Sequence, residues 1–108
     1  MIVKLRRRST KYSDLSVGSL YLVLGIEADS LRLINDHGRP FLYPPELFTI
    51  VDRKKPREWV SETGPDGEHY AYPREMNEPG FFEDYFDGKA QAMATFWRSV
   101  NHTLARAI

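Results

Sequence analysis

The sequence predicts an α+β domain: a small β-barrel with an extra hairpin and a C-terminal amphipathic helix. Three observations lead to this expectation. Up to position 72, short apolar runs rich in β-branched and aromatic residues alternate with turn residues, which is typical of strands. Near the C-terminus, apolar residues recur every three or four positions, which is typical of a helix packed on one side. The length of 108 residues suits a single domain.

Within the predicted barrel, residues 12–52, the turn at Asn35-Asp36-His37-Gly38 is the clearest element. Asn and Asp tolerate positive φ, and Gly38 can adopt the left-handed conformation that closes a short hairpin. Pro40 lacks the N–H that an inner strand needs, so we expect it on an edge or at the first residue of its strand. The barrel strands are expected within 15–26 and at 31–34, 39–43 and 48–52, with a tight turn at 44–47.

After the barrel, the sequence predicts a hairpin over about 58–72, an irregular segment over 73–87 in which the pattern becomes helical from Phe81 onward, and a helix over about 88–107. A Gly-Pro-Asp-Gly turn separates the two strands of the hairpin. The helix should have Asp87 as its N-cap and turn one apolar stripe toward the barrel. That stripe comprises Met93, Phe96, Trp97, Val100 and Leu104. We therefore expect Trp97→Ala to unfold, or nearly unfold, the domain.

Composition excludes several classes of protein. The chain has no cysteine, which excludes a disulfide framework, cysteine-ligated zinc and a cysteine nucleophile. The basic N-terminus is followed by no apolar region of the kind found in signal peptides. No apolar run approaches the roughly 18 residues that a membrane helix needs. We expect a soluble protein, and the lack of disulfides suits a reducing compartment such as the cytoplasm.

The sequence carries no motif typical of catalysis or metal binding. The three histidines lack the i, i+2 or i, i+4 spacing of metal ligands: His37, His69 and His102. No Gly-x-Ser-x-Gly motif surrounds Ser61 or Ser99. The Gly-Pro-Asp-Gly turn lacks the Lys-Ser/Thr that follows a phosphate-binding loop. We therefore expect a protein that is not an enzyme and holds no metal or cofactor.

Residues 15–52 resemble a Src-homology-3-like small barrel. The resemblance rests on the Val17-Gly18 turn, the hairpin turn at 35–38 and a proline-led turn before the strand at 48–52. It implies five short strands curled into a barrel, a fold that contacts peptides, proteins or nucleic acids. The chain lacks the acidic loop and paired tryptophans of the signalling members, so recognition of proline-rich peptides is not implied. In size and elaboration the chain is also similar to small bacterial immunity proteins, which block toxin domains.

Residues 75–87, here called the acidic-aromatic segment, interleave five carboxylates with four aromatic rings. One helical face cannot bury all four rings. We expect Phe81 and Phe86 to pack on the barrel, and Phe82 or Tyr85 to be exposed. Exposed rings among carboxylates attract a basic partner and anchor it by apolar contact. The predicted partner-binding residues are Glu78, Phe82, Glu83, Asp84, Tyr85 and Asp87.

Two functions stay open at this point. The first is a non-enzymatic protein-binding module, such as a bacterial immunity or adaptor protein, whose acidic-aromatic segment meets a basic protein such as a toxin domain. In the competing interpretation, this segment is an internal lid. The second function is a small nucleic-acid-binding barrel that contacts phosphates through basic clusters at 4–11 and 53–57. The cluster residues proposed to contact nucleic acid are Arg6, Arg7, Arg8, Arg53, Lys54 and Lys55.

Overall fold

The computed structural model describes residues 1–107, which form an antiparallel sheet of seven strands with helices against one face. The strands are β1 (Ile2–Leu5), β2 (Leu20–Glu27), β3 (Ser30–Ile34), β4 (Pro40–Tyr43), β5 (Phe48–Asp52), β6 (Trp59–Thr63) and β7 (His69–Pro73). The α-helices are α1 (Phe81–Phe86) and α2 (Ala90–Ala107), and short 3-10 turns occupy Pro45–Leu47 and Arg74–Met76. Neither described α-helix has the length and apolarity needed to cross a membrane.

The sheet is organised around β2. The first half of β2 pairs with β1 and its second half pairs with β3, which gives the strand order β4-β3-β2-β1-β5. Near the end of β2, Ile26 pairs with Ala71 of β7, and β7 carries β6 on its other edge. Over residues 1–107, β4, β5 and β6 each pair on one side alone, so the sheet is open.

Each face of the sheet carries its own apolar core. On one face, Val3, Val23 and Leu33 pack together beneath Leu15 from the β1–β2 loop. On the other face, the helices cover a second core that includes Leu24, Tyr72, Phe82, Phe96 and Val100. Successive residues of a strand point to opposite faces, so Val23 enters the first core and Leu24 the second. This explains why β2 is an unbroken apolar run in the sequence.

The α+β class and most of the predicted elements are confirmed. The β5 strand has the predicted bounds, and Gly38 closes the β3–β4 hairpin at φ 76°. Pro40 is the first residue of β4, a strand at the edge of the sheet, where its missing N–H costs no hydrogen bond.

The predicted barrel, which starts at residue 12, omits β1. Val3 and Leu5 are buried and Lys4 is exposed, so β1 alternates as a half-buried strand does. This alternating pattern covers only four residues and is followed directly by three arginines. It is therefore too short to be recognised as a strand within the basic N-terminus. The strand is nevertheless central, because it pairs with both β2 and β5.

The segment 73–87 is more regular than predicted, and its helical part starts at Phe81 as the pattern indicates. Pro73 ends β7, a 3-10 turn follows, and α1 occupies Phe81–Phe86. Glycines with left-handed φ delimit α1, Gly80 at 77° and Gly88 at 76°. Asp87 is the C-cap of α1 rather than the N-cap of α2, because the turn at Gly88 separates the two helices.

The predicted orientation of α2 is also wrong. Phe96 and Val100 are buried as expected, but Trp97 is 37% exposed, and Met93 and Leu104 are exposed as well. The ring of Phe96 packs against Phe82 and Tyr85 of α1, and the small side chain of Ser99 is buried beside it. The helix is therefore turned so that part of the predicted stripe points away from the sheet.

Candidate functional site

A cleft of about 730 Å³ opens between α1 and the β6–β7 hairpin, and we call it the acidic cleft. Its floor is made of buried side chains, chiefly Arg32, Tyr72, Met76, Phe81 and Phe82. Its rim carries carboxylates from four parts of the chain: Glu27, Glu62, Glu78, Glu83 and Asp87. Concave sites with an apolar floor and a few polar groups are the usual places where proteins bind ligands or peptides.

Local backbone geometry brings the rim carboxylates together. Glu62 lies on the edge strand β6, and Asn77 donates a hydrogen bond to its carboxylate at 3.2 Å. The N–H of Phe81 bonds the carbonyl of Glu78 at 3.1 Å, which fixes the entry into α1. Glu83 and Asp87 are four residues apart, so their side chains lie on the same side of α1. The acidic-aromatic segment is thus folded into one wall of the cleft.

The floor contains one buried cation, Arg32. Its guanidinium donates to the Tyr72 hydroxyl at 2.7 Å, to the Pro40 carbonyl at 2.7 Å and to Glu27 at 3.0 Å. It also lies 3.8 Å from the centre of the Phe82 ring, in a cation–π contact. A buried charge is tolerated only where it is paired and hydrogen-bonded. The contacts of Arg32 therefore join α1 to β3, and its charge and hydrogen-bond donors have their partners within the chain.

Tyr72 completes this arrangement. Its hydroxyl accepts from Arg32 and donates to Glu27 at 2.9 Å. Burial raises the pKa of the Tyr72 hydroxyl well above its usual range, so it stays protonated and keeps donating. Because Arg32 is neutralised by Glu27, it does not offset the other carboxylates of the cleft.

The remaining carboxylates make the lining of the cleft acidic. Glu62, Glu78, Glu83 and Asp87 line it, and over residues 1–107 none of them forms a salt bridge. Low-dielectric walls concentrate such a field and attract cations. A lysine or arginine side chain entering the cleft would meet both carboxylates and aromatic rings, which is the chemistry of cation recognition.

Five of the six predicted partner-binding residues divide into three groups, and Phe82 is described below. Glu78, Glu83 and Asp87 are exposed on the cleft rim, as the prediction requires. Asp84 lies outside the cleft lining and pairs with Lys89 at 2.9 Å, which raises the pKa of Lys89. Tyr85 is half-buried against Phe96, with ring centres 4.8 Å apart.

Phe81 is buried as predicted, but the other two phenylalanines of α1 differ from the prediction. Phe82 is 9% exposed because it packs between Arg32 and Phe96, so of the two alternatives, Phe82 or Tyr85, Phe82 is not the exposed one. Phe86, expected to be packed, is 43% exposed at the lip of the cleft and touches the Phe41 ring of β4. α1 is so short that its last turn passes beyond the helical core, which leaves Phe86 at the surface.

His69 contacts Asp29, a residue of the β2–β3 turn. Its Nδ1 lies 3.1 Å from a carboxylate oxygen of Asp29, and its backbone N–H donates to the same oxygen at 2.9 Å. The backbone bond, followed by the contact with the ring, lowers the pKa of Asp29. Over residues 1–107, no three histidine or carboxylate side chains are grouped in a way that could hold a metal ion.

The two basic clusters lie at opposite ends of the β1–β5 pair. At one end, the N–H of Arg6 bonds the carbonyl of Leu47; at the other, the amino group of Met1 bonds the carbonyl of Lys54. The exposed side chains between the ends are aliphatic, hydroxyl or lysine, namely Lys4, Thr49 and Val51. Among the described residues of this path, no exposed aromatic ring offers a surface on which bases could stack.

Comparison of the chain with protein-family models, curated proteins and solved structures finds no match. The chemistry of the acidic cleft therefore carries the functional conclusion. Sequence reasoning found three of its rim carboxylates, but it missed Glu27, Arg32 and Glu62. These residues come from β2, β3 and β6, and only the packing of α1 over the sheet brings them to the acidic-aromatic segment.

Proposed function

We propose that this protein is a non-enzymatic binding module whose acidic cleft receives a basic segment of another protein. The observation that carries the proposal is that four carboxylates line a cleft with aromatic side chains in its floor, and over the described residues none of the four forms a salt bridge. Long-range attraction by such carboxylates mainly accelerates association. Contact with rings in a desolvated cleft mainly slows dissociation.

The aromatic groups define which side chains of the partner fit best. Arg32 covers one face of Phe82, so a second cation meets Tyr70 or Phe86 instead. Phe86 and Phe41, with ring centres 5.7 Å apart, form an exposed apolar pair at the lip of the cleft. We expect a partner segment with lysine or arginine for the cleft and an apolar residue close by for this pair.

We also infer that the sheet belongs to the Src-homology-3-like class of small barrels. Support comes from five consecutive strands ordered around β2 and from the proline-led 3-10 turn between β4 and β5. The β6–β7 hairpin and the helices are additions to this unit, and the additions supply most of the acidic cleft. A partner-specific surface built on a small barrel suits an immunity or adaptor protein.

The alternative function, binding of nucleic acid, has less support. Its proposed residues are split between the two ends of the β1–β5 pair: Arg6, Arg7, Arg8, Arg53, Lys54 and Lys55. A continuous basic groove with stacking rings is the usual arrangement for single strands. An oligonucleotide is therefore included as a probe in the test of the proposal.

The test is selection of phage-displayed random peptides, about a dozen residues long, on the immobilised full chain. We expect enrichment of lysine and arginine beside an apolar residue. A selected peptide should then bind the cleft variant Glu78→Gln/Glu83→Gln/Asp87→Asn at least about tenfold more weakly, because three attractive charges are lost.

A matched control separates the cleft from total charge. The variant Glu46→Gln/Asp66→Asn/Glu75→Gln removes three exposed carboxylates that do not line the cleft, and it should bind the peptide as the unaltered chain does. Equal loss of binding in both variants would contradict a specific cleft. Selection without basic enrichment, or binding of a single-stranded oligonucleotide in preference to every peptide, would also overturn the proposal.

A further inference from the structure

The strand β6 presents unpaired backbone groups beside the acidic cleft. It pairs with β7 alone, and Ser61, Glu62 and Thr63 are exposed. Side chains that lie opposite one another in an antiparallel pair point to the same face, so Glu62 shares a face with Tyr70, and both line the cleft. The free edge of β6 therefore borders the carboxylates that attract a basic segment.

The register of the β6–β7 hairpin shows which backbone groups face outward. Bonded and non-bonded pairs of residues alternate along an antiparallel ladder. The N–H of Gly64 donates to the carbonyl of Glu68 at 2.8 Å, which makes this pair a bonded one. Counting back from Gly64, Thr63 and Ser61 belong to non-bonded pairs, so their N–H and C=O groups point away from β7.

The contacts of β7 agree with this assignment. His69 lies opposite Thr63, and its carbonyl accepts a hydrogen bond from the N–H of Asp29 at 3.0 Å, on the side away from β6. Both residues of a non-bonded pair turn their backbone groups outward, so the direction of Thr63 follows a second time. Within the described part of the chain, no loop or turn bonds the backbone groups of Ser61 or Thr63.

The other two edge strands do not combine free backbone groups with acidic surroundings. β4 begins with Pro40, which has no N–H, and the carbonyl of Pro40 accepts from Arg32 at 2.7 Å. β5 runs between the two basic clusters, whose charge repels a basic segment. Among the edges of the described sheet, β6 is the one at which an added strand meets the carboxylates of the cleft.

We propose that the basic segment received by the acidic cleft binds in extended form, as an added strand on the free edge of β6; this rests on the function proposed above. Backbone hydrogen bonds to Ser61 and Thr63 supply affinity, and alternate side chains supply specificity. The residue opposite Glu62 points to the cleft side, where a lysine or arginine meets that carboxylate. The next residue on this face lies opposite Val60, which is half-buried and suits an apolar side chain. The partner is therefore an extended peptide with a basic and an apolar residue two positions apart.

Hydrogen exchange of the unaltered full chain, with and without a saturating selected basic peptide, tests the added strand. The outward amides of Ser61 and Thr63 are free in the chain alone, so binding should slow their exchange at least about tenfold. The amides of Val60 and Glu62 already point at β7 and should change less.

The outcomes separate this inference from the proposed function. Unchanged exchange at Ser61 and Thr63, for a peptide that the cleft variant binds more weakly, would overturn the added strand and leave the proposed function intact. Failure of every basic peptide to bind would overturn both.

N-methylation of the peptide backbone, one position at a time, gives a second test on the unaltered chain. An added strand turns every second N–H toward β6. Methylation should therefore weaken binding at least about tenfold at alternate positions of the bound stretch, and less than about twofold between them. Losses that do not alternate would overturn the proposal.

A matched pair of proline variants tests the edge from the side of the protein. Ser61→Pro removes one outward N–H of β6 and should weaken peptide binding at least about threefold. Ile50→Pro removes an outward N–H from the edge of β5, as the bond from Arg6 to Leu47 and the register show, and should leave binding unchanged. Circular dichroism checks that both variants fold. Equal binding by the two folded variants would contradict an added strand on β6, and the exchange and methylation tests decide the matter if either variant does not fold.

Discussion

Replacement of Phe96 by alanine removes the ring at the centre of the helical core. Phe96 is fully buried, and its ring meets Tyr85 at 4.8 Å, Trp97 at 5.0 Å and Phe82 at 6.0 Å between centres. Trp97 is the next residue along the helix, yet more than a third of it is exposed. Comparison of Phe96→Ala with Trp97→Ala therefore tests which side of α2 packs on the sheet.

The expected cost follows from burial. Truncation of a fully buried phenylalanine to alanine costs about 3–5 kcal/mol, because apolar contact is lost and a cavity remains. A domain of this length has a free energy of unfolding of about 5–15 kcal/mol, so Phe96→Ala should lower the Tm by roughly 15–30 °C. Trp97→Ala should cost less than Phe96→Ala, because more than a third of Trp97 is in water already and its removal leaves an open groove rather than a closed cavity.

The assay is urea unfolding followed by circular dichroism at a protein concentration of a few micromolar. Leu104→Ala, on the exposed face, serves as a control and should change the free energy of unfolding by less than about 1 kcal/mol. If Trp97→Ala destabilises the chain as much as Phe96→Ala does, α2 is turned as the sequence stripe predicts, and the structural account of the helix is refuted.

Three further predictions concern the sheet, and each is measured by urea unfolding. Gly25→Ala should cost about 1–3 kcal/mol because its new Cβ would overlap the Tyr72 ring, and an unchanged midpoint would contradict that close approach. Ala28→Gly should stabilise the chain by roughly 0.5–1 kcal/mol because Ala28 has a φ of 48°, and a loss of stability would contradict strain at this turn. Burial raises the pKa of Tyr43 and Tyr72, so the unfolded chain loses these protons first and stability should fall as pH rises above about 10. Tyr72→Phe should make that decline shallower, and an equally steep decline would refute the contribution of Tyr72.

Local chemistry explains which elements the sequence could predict. The turn at Asn35-Asp36-His37-Gly38 needs only residues that tolerate left-handed φ, and Pro40 restricts β4 to an edge wherever the strand lies in the fold. The strand β5 is bounded by the proline-led turn and by a charged loop. None of these features depends on what packs against the strand.

The orientation of α2 could not be predicted because it depends on α1. The predicted stripe of α2 is wide enough to face the sheet in more than one way, and Tyr85 and Phe82 select the orientation by packing on Phe96. The bounds of α1 were not predicted, since it is only six residues long and is delimited by two glycines with left-handed φ.

Only part of the candidate site was predicted, because the rest of it also depends on packing between elements that are far apart in the sequence. The carboxylates Glu78, Glu83 and Asp87 stand in one segment and could be seen together in the sequence. Arg32 alternates with Leu31 and Leu33, as a solvent-facing residue of a half-buried strand would. Only the packing of Phe82 over it turns Arg32 into a buried cation at the floor of the cleft.

NMR titration of the ¹⁵N-labelled chain with a selected basic peptide tests whether the acidic cleft binds a basic protein segment. We expect amide shifts concentrated at Glu62 and over residues 77–87, with small changes in β1 and β5. The shifts should shrink between about 50 and 300 mM salt, because screening weakens the attraction of the carboxylates. Shifts centred on the basic clusters at 4–11 and 53–57, or equal shifts with an acidic peptide of the same length, would contradict the claim.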